Sequence, residues 1–254
     1  MRALVLSAGL GSRLRPHTDS LPKVLIPVLG APALERILAY LARSGLRRVA
    51  INTHHLAARI EEHLAALRPR LPALEIQTFH EPRLLGTGGA VPNLGDFWNE
   101  EPLLIWNGDV LADCDLAALA SVHGKSGALA TLVVHDRPRE RSRLLVDGEG
   151  RVVGIDSPGR GGRRVLAGPH DVPGDFAYTG ISLLAPALRE RLNRPAPFDL
   201  IDALLAEVAL GGRVQAHFLG RRFWGTCGTR EEWSDLEQDL TAAPAILGRF
   251  NRTE

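Results

Sequence analysis

The sequence holds only two cysteines in 254 residues, Cys114 and Cys227, and they form no C-x-x-C pair. That excludes a disulfide framework and a cysteine-built metal knuckle. Net charge is nearly absent. Thirty Lys+Arg against 29 Asp+Glu leave +1, so no broad electrostatic case exists for nucleic acid or an anionic membrane. The basic pairs Arg47-Arg48, Arg163-Arg164 and Arg221-Arg222 are dispersed and read as solvated faces. No apolar run reaches the ~18–20 residues of a membrane span. The N-terminus enters an apolar strand without a charged leader, so a soluble cytoplasmic protein is expected. The histidines, His54-His55 included, show no metal spacing such as H-E-x-x-H, and Ser7 lies in no G-x-S-x-G elbow. Lysine is the scarcest cation. Only Lys23 and Lys125 interrupt a chain that otherwise uses arginine.

Lys23 closes the most informative stretch. Ala3-Leu4-Val5-Leu6 reads as a buried strand, followed by Ser7-Ala8-Gly9-Leu10-Gly11-Ser12-Arg13-Leu14-Arg15-Pro16 and then Pro22-Lys23. A strand, a glycine loop whose backbone N–H groups can approach a ligand, and two cations of different geometry suit a polyphosphate. Two common phosphate loops fail against it. The G-x-G-x-x-G fingerprint has Leu14 where its third glycine belongs, and no G-x-x-x-x-G-K-[ST] string occurs.

Through the first half, apolar strands (residues 3–6, 49–52, 74–78, 103–106 and 128–134) alternate with helix patterns over 33–43, 56–67 and 115–123. Gly124 is the expected stop of the last helix. This alternation predicts an α/β fold: three layers, α/β/α, around a Rossmann-like, mostly parallel mixed sheet. Ligands of such sheets sit outside the carboxyl ends of the strands, where the glycine loop and Asn107-Gly108-Asp109 would lie. The second half is less regular. A hairpin is expected at Asp147-Gly148-Glu149-Gly150, and an exposed Gly/Pro/Arg-rich loop over 157–174. A strand over 176–184, helices over 186–192 and 200–209, a strand over 214–218 and a closing helix over 230–240 complete the pattern. Residues 1–240 read as one domain, with halves of about 1–110 and 111–240, followed by a tail over 241–254. No internal repeat is present.

The full string G-x-G-x-R-L-x-P, then Pro22-Lys23-Val24-Leu25-Ile26-Pro27-Val28, then Gly30-x-Pro32, resembles the signature of the sugar-1-phosphate nucleotidylyltransferases. Four later segments follow in that family's order, so the resemblance spans nearly the whole chain, without the hexapeptide β-helix some relatives carry. It implies a nucleotide-diphospho-sugar transferase fold with a sugar-side half from about residue 111. It also implies a Mg²⁺-dependent reaction: a nucleoside triphosphate, UTP or GTP favoured, joins a sugar 1-phosphate and releases pyrophosphate. The family resemblance assigns phosphate neutralisation to Arg13 and Lys23, and a metal-ligand role to Asp109. It implies nucleotide contacts from Ala8, Gly9, Gly11, Ser12, Glu81, Gly86, Gly88 and Asn107. The string Glu81-Pro82-Arg83-Leu84-Leu85-Gly86-Thr87-Gly88-Gly89-Ala90 looks like the base-recognition loop, and Phe176-Ala177-Tyr178-Thr179-Gly180-Ile181 like the strand that lines the sugar pocket with Thr179 and Gly180. No nucleic acid and no membrane enters this reading, and a homodimer is compatible with it.

One position departs sharply. Phe223-Trp224-Gly225-Thr226-Cys227-Gly228-Thr229 is similar to the family's W-x-D-x-G-T motif, whose aspartate is the second metal ligand. Here Thr226 stands in its place, a neutral and weaker ligand than a carboxylate. Asp171 or Asp175 could substitute, and no pattern in the sequence places either there. Asp156-Ser157-Pro158 also lacks the lysine that many relatives carry. Two alternatives stay open. One is a phosphocholine-type cytidylyltransferase, which would need an aromatic box for a quaternary ammonium. The other is an NDP-sugar-binding regulatory protein weakened in catalysis.

Overall fold

The computed structural model of the chain describes residues 1–137, 142–168 and 174–251. It divides into two compact units that interleave in sequence. Met1–Leu84, Trp106–Cys114 and the chain from Arg222 onward build the first; Leu85–Ile105 and Asp115–Arg221 build the second. The expected boundary near residue 110 is therefore replaced by several crossings, and the last part of the chain returns to the N-terminal unit.

In the first unit the strands Arg2–Leu6, Arg48–Thr53 and Glu75–His80 pair in parallel, with Ala3 opposite Val49 and Val49 opposite Ile76. Arg2–Leu6 and Arg48–Thr53 carry buried apolar runs because helices cover them, whereas Glu75–His80, at the end of the strand order, is buried only in part. The helix Ala33–Arg43 presents Leu34, Ile37, Leu38 and Leu41, all fully buried. Val110–Ala112 and Trp224–Thr226 form a short antiparallel ribbon that places Thr226 opposite Val110. The chain then runs through the helix Arg230–Ala242 into a further helix, Pro244–Phe250. The tail expected over 241–254 is thus helical as far as Phe250, whose ring is 1% exposed and stacks 5.1 Å from Tyr40. Burying a phenylalanine contributes about 2 kcal/mol, enough to hold a short helix in place.

The second unit is mixed. Ala130–His135 runs parallel to Val214–Phe218 and antiparallel to Gly174–Leu184. The expected hairpin joins Arg143–Val146 to Val152–Ser157. Asp147 locks its turn by accepting from the N–H groups of Glu149 and Arg151. The stretch expected as an exposed loop contains a strand, Gly162–Val165, paired antiparallel with Val152–Ser157. The helix beginning after Asp115, which accepts from the N–H groups of Ala117 and Ala118, continues to Ser126 and ends at left-handed Gly127 rather than at Gly124. Among the described residues no helix is long and apolar enough to cross a membrane.

Candidate active site

The carboxyl ends of the first unit's strands are braced to one another. Gly108 donates its N–H to the carbonyl of Leu6 at 2.9 Å. Ser7 donates to Asn52 Oδ1 at 2.7 Å, and Asn52 Nδ2 donates to Glu81 Oε1 at 2.8 Å. Above this brace the glycine loop turns tightly. Gly11 sits at φ +65, and a Cβ there would meet Thr18 Cγ2 at 2.7 Å, so glycine is required twice over. Thr18 donates its hydroxyl to the Gly11 carbonyl at 2.8 Å. The N–H groups of Gly9, Leu10, Gly11 and Ser12 take no acceptor among the described residues. Such a run of unspent donors, exposed at Gly9, Leu10 and Ser12 and partly so at Gly11, has the form of an anion cradle.

Charge gathers beside it. Lys23 Nζ and the Asp109 carboxylate form an ion pair, each side chain about one-sixth exposed. Arg13 is exposed, and its guanidinium carries no hydrogen bond or ion pair among the described residues. The Cys227 N–H donates to the Asp109 carbonyl at 2.9 Å, which brings the Thr226 ribbon position and Asp109 together as expected. A Cβ on Gly228 would lie 2.5 Å from Glu232 Oε2, 3.2 Å from Arg13 Nη2 and 3.4 Å from Asp109 Oδ2. Two carboxylates and a guanidinium therefore converge on one small space that glycine keeps open. Burial, assisted by the Asp109 carboxylate, pushes the neighbouring Cys227 thiol up to about 12, so it stays protonated and supplies no thiolate nucleophile.

Other expected residues stand differently. Glu81 is 1% exposed, and its carboxylate is spent on Asn52. Through that bond it braces the strand ends. Gly86 and Gly88 belong to the second unit. The space a Cβ would take at each is filled by Phe198, from 2.4 Å at Gly86 and 2.3 Å at Gly88, so packing accounts for both glycines. Thr179 is 1% exposed and donates to the Val133 carbonyl at 2.9 Å, and Gly180 is buried at φ +84. Neither offers a side chain to a sugar: Thr179 holds its strand to Ala130–His135. Ala8 is buried under the loop, Ser12 is exposed on it, and Asn107 ends its strand half-buried. Of the proposed substitutes for the missing acid, Asp175 is paired with Arg143, and Asp171 lies outside the described residues.

Among the described residues no three of His, Cys, Asp and Glu are grouped to hold a metal. Hard carboxylate oxygens around the Gly228 space do fit a cation that arrives with phosphates, since Mg²⁺ is commonly held by one or two carboxylates plus substrate oxygens. Glu232, Gly228 and Asn52 escaped the sequence reading. Thr229-x-x-Glu232 carries the pattern of a helix capping box, which gives that glutamate a structural reading in the sequence.

A family model for nucleotidyl transferases matches residues 2–144, more than half of the chain. The chain belongs to the nucleotidyl transferase family. It is similar to the mannose-1-phosphate guanylyltransferase of Mycobacterium tuberculosis, 28% identical over 256 residues that cover 97% of this chain and 67% of that protein. It is also similar to the UTP–glucose-1-phosphate uridylyltransferase of Synechocystis sp., 30% identical over 168 residues that cover 62% of this chain and 42% of the relative. The chain thus spans only part of the length of both. Among solved structures, UDP-glucose pyrophosphorylase from Acinetobacter baumanii matches with a TM-score of 0.76 at 20% identity, covering 98% of this chain and 96% of that one. That likeness bears on the fold alone. It agrees with the α/β, mixed-sheet architecture expected from the sequence of this nucleotidyl transferase.

Proposed function

We propose that this chain joins a nucleoside triphosphate to a sugar 1-phosphate, giving an NDP-sugar and pyrophosphate. The observation that carries this reading is the anion cradle of residues 9–12 with Arg13, Lys23 and Asp109 beside it. The similarity to guanylyl- and uridylyl-transferring proteins supports GTP or UTP as the donor. A phosphate oxygen of the sugar 1-phosphate attacks the α-phosphorus in line. One P–O bond forms, the bond to the β-phosphate breaks, and pyrophosphate leaves with the electron pair.

Such a transfer asks the protein for position and charge, not for a covalent intermediate. The loop N–H groups hold the β- and γ-phosphates. Arg13, free of any protein partner among the described residues, meets the charge that builds on the leaving pyrophosphate. Lys23 is held ready by Asp109 and exchanges that carboxylate for an α-phosphate or sugar-phosphate oxygen. Asp109, so released, is the principal ligand for a divalent cation, for which Mg²⁺ is proposed. When bound, the cation neutralises phosphate charge at the reacting centre.

The test is pyrophosphate release across UTP, GTP, CTP and dTTP, each paired with glucose, mannose, N-acetylglucosamine and N-acetylmuramate 1-phosphates. Release with one preferred pair supports transfer. Thr226 motivates a second reading, a binding protein without catalysis. Saturable NDP-sugar binding with no turnover on any pair would establish it instead.

A further inference from the structure

We infer that Glu232 is the second carboxylate of the cation site and does the work of the acid missing at Thr226. This rests on the transfer reading above. The motif residue is a threonine, and the two substitutes nearest to hand from the sequence are spent on Arg143 or lie outside the described residues. Within the first unit, however, a carboxylate does reach the right place. Glu232 Oε2 and Asp109 Oδ2 both lie within 3.4 Å of the single point that a Gly228 Cβ would occupy. The two oxygens are therefore near enough to share one hydrated cation beside that point once Lys23 has exchanged Asp109 for a phosphate oxygen and Arg13 has turned to the pyrophosphate.

The placement of Glu232 is built in several ways. Thr229 accepts the Glu232 N–H at 3.2 Å and starts the helix there. Arg230 donates to the Arg15 carbonyl at 3.2 Å, tying the first turn to the glycine loop. Trp233 donates its indole N–H to the Pro27 carbonyl at 2.9 Å, and its ring meets His17 edge-on at 5.8 Å. Glu237 accepts the Leu29 N–H at 2.7 Å. A helix start fixed at four points delivers the 232 side chain to the Gly228 space rather than to open solvent. The side chain itself is only half-exposed. Its cap contribution comes from the backbone, so the carboxylate is available for a ligand.

The rival role is neutralisation of Arg13, which shares the same space. The two roles predict opposite effects. As a ligand, Glu232 strengthens cation binding. As a neutralising charge alone, its removal leaves the cation unaffected and tightens metal-free nucleotide.

The experiment titrates the full chain with Mn²⁺, alone and with saturating GTP or UTP, following the free-ion signal by electron paramagnetic resonance. A parallel titration measures nucleotide binding in EDTA. Glu232→Gln is expected to weaken Mn²⁺ binding by about tenfold or more, as loss of one close charge implies. The adjacent exposed Glu231→Gln is expected to leave it within about twofold, since solvent screens that charge. Glu232→Ala repeats the measurement without any side-chain oxygen, and thermal unfolding of both variants confirms that they fold. If Asp109→Asn weakens Mn²⁺ binding while both Glu232 variants leave it unchanged, the inference is overturned and the transfer reading stands. If the unaltered chain shows no saturable Mn²⁺ binding under any condition, the cation-dependent reading falls and takes the inference with it.

Discussion

Gly228→Ala separates the proposed site from the fold more sharply than any other single change. The φ of Gly228 is not in the left-handed region, so alanine meets no backbone strain there. Its methyl group would sit 2.5 Å from Glu232 Oε2, inside the distance that real Cβ atoms keep, and 3.2 and 3.4 Å from Arg13 Nη2 and Asp109 Oδ2. Glu232 must retreat by about 1 Å to reach ordinary contact, and Arg13 by a few tenths. Both atoms are the far ends of flexible side chains, so the cost to stability is expected within about 1 kcal/mol. The cost to chemistry is larger. A displacement of about 1 Å of positioned groups costs on the order of 100-fold in rate. Thermal unfolding and steady-state pyrophosphate release on the same preparation read both quantities. Gly108→Ala is the contrast: its methyl would meet the Leu6 carbonyl oxygen and Val24 Cγ1 at 2.6 Å, and backbone cannot swing aside. That variant is expected to lose stability first. Full activity in Gly228→Ala would refute the idea that Arg13, Asp109 and Glu232 act at one reacting centre.

Lys23→Ala removes the cation paired with Asp109, and turnover is expected to fall about 100-fold while the chain stays folded; unchanged kcat would remove Lys23 from the mechanism. Thr179→Val deletes the donor to the Val133 carbonyl and is expected to cost about 1–2 kcal/mol in denaturant unfolding. Its kcat and sugar-phosphate KM are expected to hold, and a raised KM alone would return Thr179 to the sugar pocket. Burial holds His123 below its usual 6.5, where it faces Thr131 at 2.9 Å. Protons therefore favour the unfolded chain: stability is full above about 6.5 and declines as pH falls below it. The His123→Gln variant is expected to flatten that limb in urea titrations at pH 5 to 7, and an identical slope in both proteins would contradict the assignment. At Asp147, burial raises the carboxyl, but hydrogen bonds from Arg151 and Glu149 outweigh it and hold the group low. Its stabilisation is present above the ordinary carboxylate range and is lost as pH falls through the depressed value, so Asp147→Asn is expected to lose more stability at pH 7 than at pH 3.

The parts of the site that are local in sequence were the ones legible there. The glycine loop, Arg13 and Lys23 lie within one stretch, and backbone geometry at Gly11 is what its sequence asked for. Asp109 was visible because an apolar strand delivers it to a carboxyl edge. What could not be read depends on contacts across long separations. Phe198 fills the space over Gly86 and Gly88 from more than a hundred residues away, so glycines that looked like ligand approaches are packing requirements. Thr179 and Glu81 carry the residue types of binding groups, yet burial assigns them to strand bracing. Glu232 failed in the opposite direction: its position after Thr229 signals a helix start, and only the return of the C-terminal helix to the N-terminal unit turns its carboxylate toward Asp109. The same return made a helix of the expected tail, because Tyr40 provides a surface for Phe250 that no local pattern announces.

Transfer itself is tested most directly with a nucleoside triphosphate labelled at the α-phosphorus. The chain, Mg²⁺, labelled GTP or UTP and a sugar 1-phosphate are mixed, and the fate of the label is followed against released pyrophosphate. The account predicts label appearing in an NDP-sugar in step with pyrophosphate, with none retained on the protein after denaturation. Label that remains in the triphosphate for every sugar 1-phosphate offered, or that stays covalently on the chain, would contradict it.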